Sequence, residues 1–143
     1  MTSSVFPDIN VWIAMTLEEH EHHGTARQWY ESLPPATDLI FCRFTQLGLL
    51  RLLNTLVVAG TGIMTQKEAW KAYDAWIERG GAVFEAEPEG LETEFRQFSN
   101  QRLPAPKDWA DSYLAAFAES SRTTLVTFDR KLSSRSVGSI LLS

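Results

Sequence analysis

A single cysteine, Cys42, occurs in the 143 residues of the chain. No internal disulfide can form, and no thiolate cluster can hold a metal. Long apolar runs are missing too, since nothing approaches the roughly 18 consecutive apolar residues of a membrane span. The start, Met1-Thr2-Ser3-Ser4, lacks the basic and then apolar character of a secretory leader. A reducing cytoplasm, with no membrane partner, is the setting these absences predict. Positive charge is also scarce: 13 Lys and Arg face 18 Asp and Glu, for a net charge of −5. Phosphate repels a net anion, so the total charge argues against a nucleic-acid partner.

The distribution of charge softens that objection. Residues 1–101 carry 7 basic and 14 acidic side chains, whereas residues 102–143 carry 6 basic and 4 acidic ones. Three of those four acids, Asp108, Asp111 and Asp129, are site candidates whose charge a bound cation would offset. Chance unevenness in a short segment is the plain alternative. Otherwise the composition, 44% apolar and 22% charged, is that of one globular domain spanning residues 1–143.

No repeat, low-complexity tract or long linker divides the chain. Val5-Phe6-Pro7 is a short apolar lead into Asp8. Apolar residues then recur at helical spacing from Val11 to Leu17, with Asn10 as the expected N-cap. A second helix is expected from about His23 to Leu33, stopped by Pro34-Pro35. Leu39 to Cys42 is a continuous apolar run, as in a buried parallel strand. Thr45 to Leu56 carries too many leucines for one exposed stripe and predicts a largely buried helix. Val57 to Gly62 is a glycine-containing connection. Thr65-Gln66-Lys67-Glu68 matches a capping box, opening a helix that Gly80-Gly81 ends after Arg79. Ala82 to Glu85 is strand-like, and a helix is expected from about Gly90 to Asn100. After Pro104 and Pro106, Lys107 or Asp108 opens a helix to about Ser120. Thr124 to Phe128 is the clearest strand, and Ser139 to Leu142 suggests a last one. Alternating strands and helices imply right-handed crossovers and a mostly parallel sheet.

In an open parallel sheet, ligands sit beyond the carboxyl ends of the strands. Asp8 closes the first short strand, Asp129 directly follows Thr124–Phe128, and Asp111 lies in the first turn of the preceding helix. Three carboxylates gathered at one edge repel each other unless a cation bridges them. Oxygen-only ligation without cysteine favours Mg²⁺ or Mn²⁺ over zinc. Such an ion polarises a phosphate and activates water, so phosphodiester hydrolysis is the implied chemistry. Each acid also has a plain reading: Asp8 or Asp129 as a turn or cap residue, Asp111 as a solvated early-helix acid. Asp108 reads first as the N-cap of its helix and second as a site member.

Three of these segments resemble the PIN-domain ribonucleases of the VapC toxin type. Phe6-Pro7-Asp8-Ile9-Asn10-Val11-Trp12-Ile13-Ala14 is similar to their opening segment. Trp109-Ala110-Asp111-Ser112-Tyr113-Leu114-Ala115-Ala116-Phe117-Ala118 resembles their acid-bearing helix, and Leu125-Val126-Thr127-Phe128-Asp129-Arg130 their strand end. His20 to Trp29 and Thr45 to Leu53 also resemble this group, in the same order along nearly the whole chain. The resemblance implies a PIN-like three-layer α/β/α sandwich with a central, mostly parallel, roughly five-stranded sheet. It implies an endoribonuclease toxin dependent on Mg²⁺ (or Mn²⁺), acting on structured RNA such as tRNA or rRNA. Asp8 and Asp111 would be metal ligands, with Asp129 completing the catalytic acids. By analogy, Asn10 and Thr127 could orient an acid or the attacking water. A homodimer and a cognate antitoxin are the implied protein partners.

One departure stands out. Many PIN domains supply a further acid, usually glutamate, from the helix after the second strand, yet no carboxylate occurs between Asp38 and Glu68. Gln46 offers only a neutral oxygen there, which favours one ion over two. The same absence supports a rival reading, a catalytically weak PIN domain that binds RNA or protein. A phosphatase with a nucleophilic aspartate is a weaker rival, because the second acid it needs two residues on is Asn10 here. His20, His22 and His23 beside Glu18, Glu19 and Glu21 fit a solvated turn better than a closed zinc site. Trp70, Tyr73, Trp76 and Ile77 form one helical stripe, most simply core. Any exposed part of that stripe would suit a dimer or antitoxin contact.

Overall fold

The computed structural model describes residues 3–58 and 62–143. Met1, Thr2 and residues 59–61 of the connection expected at 57–62 lie outside the described residues. In chain order the elements are β1 (Ser4–Pro7), α1 (Ile9–Thr16), α2 (His23–Glu31), β2 (Asp38–Phe41) and α3 (Arg43–Leu53). A small antiparallel pair, β3 (Val57–Val58) and β4 (Gly62–Ile63), precedes α4 (Gln66–Arg79), β5 (Ala82–Phe84) and α5 (Leu91–Phe98). The chain then forms α6 (Asp108–Ser121), β6 (Thr124–Thr127), α7 (Arg130–Ser133) and β7 (Ile140–Leu141). Five strands make one parallel sheet in the order β5-β2-β1-β6-β7.

The two faces of this sheet follow from the two-residue period of a strand. Val5, Leu39, Phe41 and Val126 belong to one core with Val11, Trp12, Leu49, Tyr73 and Trp76, so α1 to α4 cover that face. Phe6, Ile40, Cys42 and Leu125 alternate onto the other face with Leu91, Leu114, Phe117 and Leu132 of α5, α6 and α7. Trp12 is fully buried and stacked on Phe41 at 3.8 Å, with Trp76 edge-on at 5.3 Å. Both faces are covered, which is why the strands read as continuous apolar runs.

From the central strand β1 the chain winds outward through β2 and β5, then crosses back to β6 and β7 on the other side. The direction of winding reverses between β1 and β6, and the crevice beyond their carboxyl ends is the topological switch point.

Cap positions differ from the sequence pattern in three places. Asp8, not Asn10, is the N-cap of α1: its carboxylate accepts from the Val11 N–H at 3.1 Å, and Asn10 lies inside the first turn as an exposed residue. The α3 helix opens at Arg43, before Thr45, because the Thr45 hydroxyl accepts from the Cys42 N–H at 3.0 Å and closes a capping box. Asp108 is the first residue of α6 and does not cap it; its carboxylate is drawn instead to Arg135. The Thr65–Glu68 capping box is as expected, with reciprocal bonds of 3.0 and 3.1 Å. The α4 stripe divides, with Tyr73 and Trp76 buried and Trp70 and Ile77 exposed.

Candidate active site

Asp8 sits where β1 gives way to α1, and 4% of it is exposed. Its main chain stays in the sheet, donating to the Val126 carbonyl at 2.9 Å. Its carboxylate faces the end of β6, where the Thr127 hydroxyl donates to Oδ2. The same hydroxyl accepts from the Asp129 N–H at 2.9 Å. One fully buried threonine therefore orients the first acid and fixes the backbone of the third. Asp129 caps α7, its Oδ1 accepting from the N–H groups of Lys131 at 2.9 Å and Leu132 at 3.2 Å.

Burial pushes the Asp8 carboxyl up from 3.8 to about 6. The Thr127 hydroxyl and the backbone N–H groups of Val11 and Asn10 pull it down, and the Asp129 charge pushes it up again. Asp111 lies in the first turn of α6, as its sequence position requires. Its carboxyl is also raised, by burial first and then by Asp129, against the opposing charge of Arg135. Asp129 is thus the acid that presses on both others, and like charges held this way favour a bound cation.

Among the described residues, no group of three His, Cys, Asp or Glu side chains is placed to hold a metal ion. A closed all-protein cage is therefore not what the site offers. Magnesium is commonly bound through one or two carboxylates, with waters and substrate phosphate filling its octahedron. An oxygen-only donor set of mutually repelling carboxylates suits that mode.

The supporting residues fare differently. Asn10 aids Asp8 through its backbone N–H, while its side chain is exposed. Asp108 is not free to ligate: Oδ1 accepts from Arg135 Nη1 at 2.6 Å and Oδ2 from the Ser112 hydroxyl at 2.7 Å. Gln46 is buried, and its Oε1 accepts from Arg43 Nη1 at 2.6 Å. The three histidines diverge. His23 Nδ1 bonds the Ala14 carbonyl at 2.7 Å, His22 stacks on Phe128 at 4.8 Å, and His20 Nδ1 accepts from the His22 N–H at 3.0 Å.

Arg135 escapes sequence reasoning altogether. It follows Asp129 by six residues in a basic segment, and nothing in the sequence pairs it with Asp108, 27 residues upstream. An apolar groove of about 520 Å³, bordered by Ile9, Leu47, Gly48, Ala69 and Trp70, is lined by none of the three acids.

The doubly wound parallel sheet and the acids at its switch point define an α/β domain with a carboxylate-based site. Comparison with known proteins is specific: the PIN domain family model matches residues 5–137. Ribonuclease VapC41 of Mycobacterium tuberculosis is 43% identical over 126 residues, spanning 85% of this chain and 86% of that protein. The chain belongs to the PIN domain family. Solved structures share the fold at lower identity. VapC20 of M. tuberculosis, a sarcin–ricin loop cleaving toxin, superposes with a TM-score of 0.62 at 18% identity, covering 91% of this chain and 93% of that one. VapBC2 of Rickettsia felis, solved with a DNA fragment from its promoter, gives 0.69 at 12% identity, covering 98% and 99%.

Proposed function

We propose that this chain is a divalent-metal-dependent endoribonuclease and the toxin of a toxin–antitoxin pair. The observation that carries the chemistry is that one buried hydroxyl, that of Thr127, bonds both the Asp8 carboxylate and the Asp129 N–H at the switch point, with Asp111 close enough for the Asp129 charge to push its carboxyl up. The 43% identity to a ribonuclease of the VapC group supports RNA as the substrate. Structured RNA such as tRNA or rRNA is the class to test first, given the neighbour that cleaves the sarcin–ricin loop.

Asp8 and Asp111 are the assigned metal ligands, with Asp129 completing the acidic set. A bound Mg²⁺ or Mn²⁺ would polarise the scissile phosphate and lower the pKa of an attacking water. The chain's own residues prepare that step. Thr127 holds Asp8 Oδ2 in place, the Val11 N–H holds Oδ1, and the same Thr127 hydroxyl accepts from the Asp129 N–H, fixing the third acid beside the first. Gln46, with its amide oxygen committed to Arg43, supports one ion over two.

A cognate antitoxin and a second copy of the chain are the proposed partners. Trp70 and Leu47, exposed along the apolar groove between α1, α3 and α4, support that surface as a contact. Among the described residues no helix is long and apolar enough to cross a membrane. The buried lone thiol suits a cytoplasmic site of action.

The test is cleavage of a mixture of structured RNAs by purified, antitoxin-free protein in Mg²⁺, Mn²⁺ or EDTA, with Asp8→Asn alongside. Discrete fragments that need metal and vanish in the variant support the enzyme. RNA binding without cleavage in any metal, from folded protein, would favour the rival binding module, whose support is a neutral Gln46, its amide oxygen bonded to Arg43, in the helix after β2.

A further inference from the structure

Asp111 has a peculiar position among the three acids. Among the described residues its carboxylate makes no hydrogen bond, whereas Asp8 and Asp129 are each held by several. Beyond the opposing charges of Arg135 and Lys131, it is the placement of its helix that holds Asp111 against the repulsion of Asp129. Arg135 bonds the residues on either side of Asp111 in that part of the helix.

Arg135 lies between α7 and β7 and is largely buried, with 17% of its side chain exposed. Nη1 donates to Asp108 Oδ1 at 2.6 Å, and Nη2 donates to the Phe98 carbonyl at 2.6 Å and to Ser112 Oγ at 3.0 Å. Phe98 is the last residue of α5, where carbonyls lack helical partners and the helix dipole favours a cation. Asp108 and Ser112 flank Asp111 on the first turns of α6, and Ser112 closes the network by donating to Asp108 at 2.7 Å. One guanidinium therefore ties the end of α5 and the start of α6 to the segment that follows α7, whose N-cap is Asp129. Only an arginine reaches all three acceptors, because its planar fork carries five N–H donors, whereas an ammonium is a point charge.

We propose that Arg135 is a positioning residue for the reaction: acting through Asp108 and Ser112, it holds the first turn of α6, and so Asp111, at a fixed placement relative to Asp129. It touches neither substrate nor ion. The inference rests on the metal-dependent reading above.

The test is Mn²⁺ binding to the full RNA-free chain, followed by the electron paramagnetic resonance signal of free Mn²⁺. Wild type, Arg135→Lys, Arg135→Gln, Asp111→Asn and the Asp111→Asn/Arg135→Lys double variant are compared at a temperature where melting curves show each folded. Outer-shell partners of metal ligands commonly contribute about 10- to 100-fold in affinity, and Arg135→Lys is expected to weaken Mn²⁺ binding within that range. Charge alone predicts no change for Arg135→Lys and tighter binding for Arg135→Gln. In the Asp111→Asn background, Arg135→Lys should change nothing further, since Asp111 is the group it acts through. Arg135→Lys binding as tightly as wild type overturns the proposal, as does an undiminished effect without Asp111. If Arg135→Gln does not fold, the lysine variant alone decides. Wild type that binds no Mn²⁺, indistinguishable from Asp111→Asn, overturns the metal-dependent reading and this inference with it.

Discussion

Replacing Asp8 with asparagine in metal-free protein removes a charge that burial makes expensive while leaving the local geometry nearly intact. The carboxyl sits at about 6 in the folded chain against an ordinary 3.8. Those roughly two tenfold steps in proton affinity, at about 1.4 kcal/mol each, make the charged form cost about 3 kcal/mol of stability at neutral pH. The folded state holds this proton more tightly than the unfolded state does. Stability from Asp8 is therefore fully present below about pH 4 and is lost as pH rises through about 6. Asparagine caps a helix as well as aspartate does, so its Oδ1 can keep the Val11 N–H, and the Thr127 hydroxyl can turn to accept from the amide. Asp8→Asn should then melt higher than wild type at pH 7.5 in EDTA. At roughly 3 °C per kcal/mol for a domain of this size, the gain is on the order of 10 °C. At pH 3.5 the difference should vanish. Thermal melts followed by circular dichroism at both pH values check this. A variant less stable than wild type at pH 7.5, or a gain that persists at pH 3.5, refutes the reasoning.

Thr127→Val keeps the volume but leaves the Asp129 N–H and one Asp8 oxygen without a partner. Urea unfolding should show a loss of about 1–3 kcal/mol, and RNA cleavage should fall further than the folded fraction does. Adding Mn²⁺ at about 100 times its dissociation constant should stabilise wild type by about 3 kcal/mol, read as a rise in melting temperature that Asp111→Asn loses. Trp12→Ala empties a fully buried site between Phe41 and Trp76 and should cost about 3–5 kcal/mol by chemical denaturation.

The sheet was legible in the sequence because its strands are buried on both faces: Leu39 to Phe41 and Thr124 to Thr127 can be little else. Asp8 and Asp129 were legible by position, since a carboxylate just past such a strand falls at the ligand edge. Local choices between similar residues were not. Asp8 and Asn10 are both good caps, and only the approach of the Val11 N–H decides for Asp8. The four-residue α7 and the two-residue strands β3 and β4 are too short for any period to show. Within the α4 stripe, Trp70 and Tyr73 differ only in what faces them. The Arg135 network depends on contacts 23 to 37 residues apart, which no local pattern encodes.

The chemistry of the cleaved RNA ends tests the central claim most directly, because it reports which nucleophile attacked. Water attacking a phosphodiester at a metal-dependent carboxylate site leaves a hydroxyl on one fragment and a phosphate monoester on the other. No 2′,3′-cyclic phosphate forms on that route. The account predicts fragments without cyclic phosphate, produced in Mg²⁺ or Mn²⁺, absent in EDTA and absent with Asp8→Asn. Cyclic phosphate ends, formed by the wild-type chain in EDTA as readily as in metal, would contradict it and move the chemistry away from Asp8, Asp111 and Asp129.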